Sequence, residues 1–478
     1  MAHTPGLNAP AVADALDWPT FVSAYWDRRP VLYRAVRDAP YGEVDTFRAA
    51  VRAADPSRGG PVLTPNVQFT VERVQRTAPG DHLPAAGDGS FDGYEQRLAG
   101  LLGGRRYALV AHCFHAFDFG LWSRQRSFWA PLWHHVGLPY VSAITTLFHG
   151  TYEHSPVGVH RDRYATFMFV LRGRKRMRFW PARPWSEPVT TVLDYDRYRS
   201  GSFAVEVGPG DLLYWPASYY HVGESAGDEP ATSVNVGVPR EVSGAVAVPD
   251  LFGDLDPLWV GDPAAGVDRL SPLPATPFAP GPGPDGRLPA TLPAGLRQAT
   301  ARLRGFARDG GLRARTAALS VRFWTAAGFR PVPPPAPARP LHDDAWVRAV
   351  PGSPVLWSPA GSATVVGANG HTVWTAARPA AVERLLAPLA DGRPARVGRL
   401  LAAGPDDGAG AATHDGSGGP APDRSGAAAA GGSWAGAPDG SRPDAPLPAT
   451  RAGTRRLVEL LVSFRGLRAG ASDDADGR

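Results

Sequence analysis

Cysteine is almost missing from this chain of 478 residues: Cys113 stands alone. A single thiol excludes an intramolecular disulfide framework, so the fold has to rest on its core. Such usage fits a reducing compartment. Lysine is equally scarce, because of the 50 cationic side chains only Lys175 is not an arginine. No uncharged apolar run reaches the roughly 18 residues that a membrane span requires. The N-terminus lacks a basic segment followed by an apolar run, so no secretory signal is expected. A cytoplasmic protein without membrane contact is the expectation. Neither sign of charge dominates: the formal net charge is +5, with the arginines dispersed, which argues against nucleic acid as a partner.

What is present suffices for a core. The chain is 43% hydrophobic and 10% aromatic, which excludes wholesale disorder. Its length points to two or three units. The 55 glycines and 50 prolines concentrate between Asp254 and Pro293, from Pro331 to Pro340 and between Gly404 and Pro448. These stretches mark the joints. The expected organisation is a first domain over 1–250, a Pro/Gly linker over 251–292 and a helical pair over 293–330. A small unit follows over 341–467, interrupted by a Gly/Ala/Pro-rich insertion at 404–448, and 468–478 form a tail.

Helical spacing of apolar residues predicts helices at Trp18–Trp26 and Asp45–Ala53, with Pro30 ending the first and a short strand running to Tyr33. From about Val62 to Val238 the texture turns to short β-rich runs divided by Gly, Pro and Asp. Strands are expected at Val62–Val74, Val141–Phe148, Ala165–Leu171, Lys175–Trp180, Ser202–Val207, Asp211–Trp215 and Thr232–Val238. Many short strands with turn signals indicate a mainly-β barrel or jelly roll rather than alternating βα units. Phe91–Leu102 and Phe114–His135 read as helices packed on it. Pro293–Arg308 and Leu312–Ala327 form the helical pair. In the last unit, strands at Val355–Trp357, Ala363–Val366 and His371–Thr375 are expected, the latter two joined by an Asn369-Gly370 turn. Helices at Ala380–Leu389, Ala395–Leu401 and Thr454–Leu467 complete that unit.

One constellation carries chemistry. In His160-Arg161-Asp162, residues i and i+2 of an extended backbone point to the same face. An imidazole nitrogen and a carboxylate oxygen can then meet one metal ion. Downstream, Gly208-Pro209-Gly210-Asp211 opens a strand through Trp215, and a Pro216-marked bend presents His221. Two histidines and one carboxylate make the facial triad of non-haem iron(II) oxygenases, which leaves positions open for a co-substrate and oxygen. A second H-x-D, His342-Asp343-Asp344, lacks such a partner and is assigned no function. His134 and His135 read as structural, and His112, His115, His149 and His154 lack partners at ligand spacing. Cys113 has no paired base nearby and is not read as a nucleophile.

The H-x-D followed by G-D-x-x-x-x-P-x-x-x-x-H resembles the JmjC family and its bacterial cupin relatives. That resemblance implies a double-stranded β-helix barrel and dependence on Fe(II) and 2-oxoglutarate. It also implies a basic residue on the strand after the H-x-D that binds the distal carboxylate of 2-oxoglutarate. Lys175, thirteen positions after Asp162 and the only lysine of the chain, stands at that place, with Arg174 and Arg176 as substitutes if the register differs. Asn235, and more weakly Thr166, resemble polar positions near the co-substrate. The tyrosine common on the preceding strand is missing from Thr145-Thr146-Leu147-Phe148. The order of lead-in helices, barrel, helical pair and small winged-helix-like α+β unit resembles the bacterial ribosomal oxygenases. This implies hydroxylation of a side chain in a protein or peptide, of ribosomal-protein type, and a homodimer through the helical pair. A tailoring hydroxylase of a free amino acid or natural-product peptide, and a non-catalytic metal-binding cupin, are the alternatives.

Overall fold

The computed structural model describes residues 10–55, 67–151, 158–240, 251, 300, 303–305, 307–308, 310–403 and 446–470. The beginning of the expected strand at Val62, His154, the linker from residue 252, nearly all of the first helix of the pair, the insertion up to residue 445 and the tail from 471 lie outside the described residues. Two compact units emerge, Met1–Ser243 with Ala326–Pro334, and Gly244–Thr325 with Pro335–Arg478.

The first unit holds twelve strands among its described residues. They are β1 (Ala11–Ala13), β2 (Val31–Tyr33), β3 (Val67–Val71), β4 (Val74–Gln75), β5 (Tyr107–His112) and β6 (Ile144–Gly150). These are followed by β7 (Tyr164–Arg172), β8 (Lys175–Trp180), β9 (Phe203–Val207), β10 (Leu212–Trp215), β11 (Tyr220–Ser225) and β12 (Ala231–Pro239). Nine form one sheet in the order β1-β2-β10-β7-β12-β6-β5-β3-β4, and three form a second, β11-β8-β9. This is the jelly roll of a double-stranded β-helix with helical additions.

Strict alternation along the strands sorts the residues. On β7, Phe167 and Phe169 join Tyr214, Val234 and Val236 in one core with the helices. Met168 and Val170 face the other way and pack with Met177, Phe179, Val205 and Val207 of the smaller sheet. Each such buried side chain contributes about 1.5–3 kcal/mol. The helices α1 (Trp18–Ala24), α2 (Glu43–Ala54), α3 (Phe91–Leu102) and α4 (Phe119–Val136) cover the large sheet's outer face. Trp129 of α4 meets Phe167 edge-on at 4.6 Å between centroids. Asp17 caps α1 by accepting from the Thr20 amide, and Ser90 caps α3 by accepting from Gly93.

The segment Ala326–Pro334 belongs to this unit through Phe329. Its ring is fully buried, and its carbonyl accepts from Trp122 Nε1 at 3.0 Å.

In the second unit, α5 (Gly311–Ala326) lays Ala314, Ala317, Ala318 and Val321 against Ala360 and Val365 of a three-stranded sheet. That sheet runs through Leu356–Ala360, Ala363–Ala368 and His371–Thr375, and the positive φ angles of Asn369 and Gly370 make the expected hairpin turn. A second small sheet pairs Trp346–Ala349 with Ala395–Arg396 and Leu467–Gly470. Helices Pro379–Leu386, Val397–Ala403 and Arg451–Ser463 pack with them into a core around Val382, Leu400 and Leu457. The second H-x-D is structural here: the Asp343 carboxylate pairs with Arg451 and Arg455.

Candidate active site

The turn before β10 is built by Asp211, whose buried carboxylate accepts from the Gly208 amide at 3.1 Å and pairs with Arg34. After β10, the Tyr219 amide closes the Pro216 bend by donating to the Pro216 carbonyl. The chain then enters β11 with His221 as its second residue. On the facing strand segment, Gly158 has φ of 74°, and a Cβ there would sit 2.4 Å from the Val192 carbonyl oxygen. Only glycine fits, and it places His160 opposite His221.

These two histidines are backbone partners. The His221 amide donates to the His160 carbonyl at 2.8 Å, and the His160 amide returns a bond of 3.1 Å. Their rings lie 4.5 Å apart between centroids. Each Nδ1 is set against a carbonyl oxygen, Gly158 at 2.9 Å and Tyr219 at 3.3 Å. An Nδ1–H that donates there leaves the Nε2 lone pair as the ligand. Both Nε2 atoms face Asp162, at 3.7 Å for His160 and 3.6 Å for His221. One ligand atom from each of the three residues falls within 4.8 Å of the others. No other such group of three occurs among the described residues.

The electrostatics suit a cation. Burial disfavours the Asp162 carboxylate, yet the two imidazoles outweigh it and hold its pKa below the ordinary value. Burial also opposes protonation of His160, but Asp162 reverses the balance upward. His221 is pushed down, first by burial and then by His160. Asp162 is thus held ionised and His221 neutral, as metal ligation requires of each, while a metal at this centre would have to displace the proton that Asp162 favours on His160.

The triad stands in the wall of a cavity of about 590 Å³ between the two sheets. Residues 134–243, which carry it, match the model of the JmjC domain family. This segment is a JmjC domain. No curated protein matches the chain. Among solved structures it is similar to YcfD, a ribosomal oxygenase from Escherichia coli, at 14% identity over 95% of this chain and 98% of that one, with a TM-score of 0.42. The structure of YcfD with cobalt and 2-oxoglutarate gives 16%, 95%, 99% and 0.44. That with cobalt and succinic acid gives 14%, 95%, 99% and 0.41.

Cross-strand register composes the JmjC cavity. One row across the large sheet runs Gln68, Val110, Phe148, Ser233, and the next runs His112, Thr146, Asn235, Met168. A third row joins Ile144, Gly237, Thr166 and Trp215. The smaller sheet contributes Lys175, Met177, His221 and Gly223.

All six residues singled out in the sequence therefore line one cavity: His160, Asp162, His221, Lys175, Asn235 and Thr166. Lys175 is buried at the start of β8. Its neighbours Arg174 and Arg176 leave on the opposite face, where both pair with Glu206. The strand register thus separates Lys175 from its two substitutes. Asn235 Oδ1 is buried without a hydrogen-bond partner, an acceptor held toward the cavity.

His112 differs from its bland reading, since it lines the cavity with Nδ1 3.2 Å from Thr146 Oγ1. Tyr164 on β7 also lines it, so a tyrosine reaches the site although the preceding strand lacks one. Gln68, Thr70, Gln75 and Ser233 are further lining residues that spacing along the chain does not disclose. His115 and His149 are fully buried structural histidines. The former lies 3.2 Å from the Pro331 carbonyl, and the latter sits between the Tyr107 and Thr232 hydroxyls. His134 and His135 are exposed at the end of α4.

Proposed function

We propose that this protein is an iron(II)- and 2-oxoglutarate-dependent oxygenase that hydroxylates a side chain in a protein or peptide. The observation that carries this reading is the His160–Asp162–His221 group within 4.8 Å in the wall of a cavity that also holds the chain's only lysine. His160 and His221 would bind the metal through Nε2, with their Nδ1 atoms held by backbone carbonyls, and Asp162 would supply the anionic ligand. Iron(II) with 2-oxoglutarate and oxygen supplies oxidative decarboxylation to succinate and CO2, coupled to insertion of one oxygen atom into a substrate C–H bond. The Lys175 ammonium would hold the distal carboxylate of the co-substrate by a charge-assisted contact. Asn235 and Thr166 would complete its polar surroundings, while Met168, Met177 and Trp215 exclude water. A ribosomal-protein target is the class to which the resemblance of the motif and of the element order points.

Succinate release that depends on both iron(II) and an added polypeptide tests the proposal. Asp162→Ala is expected to abolish that release and to weaken metal binding, measured by titration, with the circular dichroism spectrum unchanged. Full activity in that variant would reject the triad. Metal binding without consumption of 2-oxoglutarate in the wild type would instead make the chain a binding cupin.

A further inference from the structure

Along the chain the arginines are dispersed, but strand pairing in the second unit gathers three of them on one surface. Trp346–Ala349 is the central strand of its small sheet, between Ala395–Arg396 and Leu467–Gly470. Alternation sends Val347, Ala395 and Leu467 into the core of that unit and turns Trp346 and Arg348 to the other face. In register, Arg396 stands opposite Trp346, and Arg468 stands opposite Arg348. That face therefore carries three guanidiniums and an indole, and the three strands contain no carboxylate.

Trp346 stays outside the core cluster that Val347 enters, and the Arg396 guanidinium lies over its ring, 5.3 Å from the centroid. Arg396 and Arg468 are exposed, and Trp346 and Arg348 are half-buried. An aromatic ring and a guanidinium plane in contact offer a flat π surface for an unpaired base. Like charges directly opposite one another are unfavourable, and a phosphate set across Arg348 and Arg468 turns that repulsion into charge-assisted bonds. An acidic peptide would satisfy the cations and leave the indole unused. A duplex, whose bases stay stacked on one another, would leave it unused as well.

We propose that this sheet face is a binding site for single-stranded nucleic acid, with a base stacked on Trp346 and Arg396 and phosphates held by Arg348 and Arg468.

The test is the fluorescence anisotropy of a short labelled single-stranded RNA of mixed sequence, titrated with the full-length protein. Binding is expected, and the logarithm of the association constant should fall against that of salt concentration with a slope of about −1.4 or steeper, as two neutralised phosphates give in a single strand. The double variant Arg348→Gln, Arg468→Gln should flatten the slope by about that amount. Trp346→Ala should weaken binding about ten-fold with the slope retained, and Trp346→Phe should restore most of the loss. Melting temperatures show that each variant is folded; should Trp346→Ala fail to fold, the arginine pair decides alone. No binding to the full-length protein overturns the proposal. So does equal affinity for a duplex of the same sequence or for polyglutamate, which would reduce the face to a patch of charge. Binding that arises only once residues 471–478 are removed would give the face to Asp473, Asp474 and Asp476 of the chain itself, and overturns it too.

Discussion

Lys175 shows how one side chain acquires a role from its neighbours. Arginine serves wherever this chain needs a surface cation, and Arg174 and Arg176 spend theirs on Glu206. Lys175, between them, turns inward to the cavity. A compact ammonium on a flexible stem differs from a planar guanidinium in reach and hydration. Loss of a charge-assisted contact costs ~1.5–3 kcal/mol. Lys175→Ala should therefore weaken 2-oxoglutarate binding about ten-fold to a hundred-fold, read by calorimetry in the presence of an inert divalent metal. Lys175→Met fills the same volume and should bind as poorly while melting near the wild-type temperature. Unchanged affinity in both variants would mean that the co-substrate is held elsewhere.

Turns decide what the strands deliver. Gly173, between β7 and β8, has φ of 62°, and a Cβ there would lie 2.5 Å from the Pro230 carbonyl oxygen. Gly173→Ala should destabilise the domain by about 1–3 kcal/mol. Because Lys175 begins two residues later, 2-oxoglutarate affinity should fall with it. Chemical denaturation and co-substrate titration of the same variant check both. The turns were legible in the sequence because glycine, proline and aspartate announce them. The H-x-D and the G-D-P-H series were legible because the spacing of their side chains is set over one short segment or across one bend.

What escaped was pairing at long range. β5 reads Tyr-Ala-Leu-Val-Ala-His, a short and mostly buried run without clear alternation, and periodicity does not separate it from a helical fragment. Trp346–Ala349 finds its partner 118 or more residues away in Leu467–Gly470. The rows that bring Gln68, His112 and Asn235 to one cavity depend on the register of five strands, and no local signal records that.

On the scale of the whole molecule, two predictions concern conditions rather than single contacts. Burial drives the pKa of His115 and of His149 down to about 3, and nearby Lys175 and Arg172 reinforce the shift at His149. Both are neutral in the folded state near pH 7. The unfolded chain takes up these protons below pH ~6.5, so their contribution is complete above that value and is lost as pH falls toward 3. The loss approaches ~1.4 kcal/mol per pH unit for each histidine. Denaturation midpoints at pH 7, 6 and 5 should fall accordingly, with a shallower slope in His149→Gln. A slope equal to wild type in that variant would assign acid sensitivity to other groups.

The second prediction concerns assembly. The described helix Gly311–Ala326 buries one stripe in its own unit but leaves Trp324 57% exposed. An isologous dimer through the helical pair would cover it. Light scattering should return twice the chain mass of 50.7 kDa, and Trp324→Glu should return it to one without lowering the melting temperature. A single-chain mass for the wild type would reject the dimer.

The reciprocal backbone bonds between His160 and His221 have a consequence for how the centre is loaded. Two of the three proposed ligands are tied by their peptide groups, His221 in β11 and His160 in a bridge to it, and their rings are set against further carbonyls. The folding free energy, not the ion, therefore bears the entropy of bringing them together. Metal binding and folding are therefore expected to be separable events, in contrast to small zinc modules that collapse only around their metal. If the proposed ligands hold iron, a chelator should remove it and a fresh ion should restore binding with the circular dichroism spectrum unchanged throughout. Occupancy of such a centre would then follow the supply of iron rather than the life of the polypeptide.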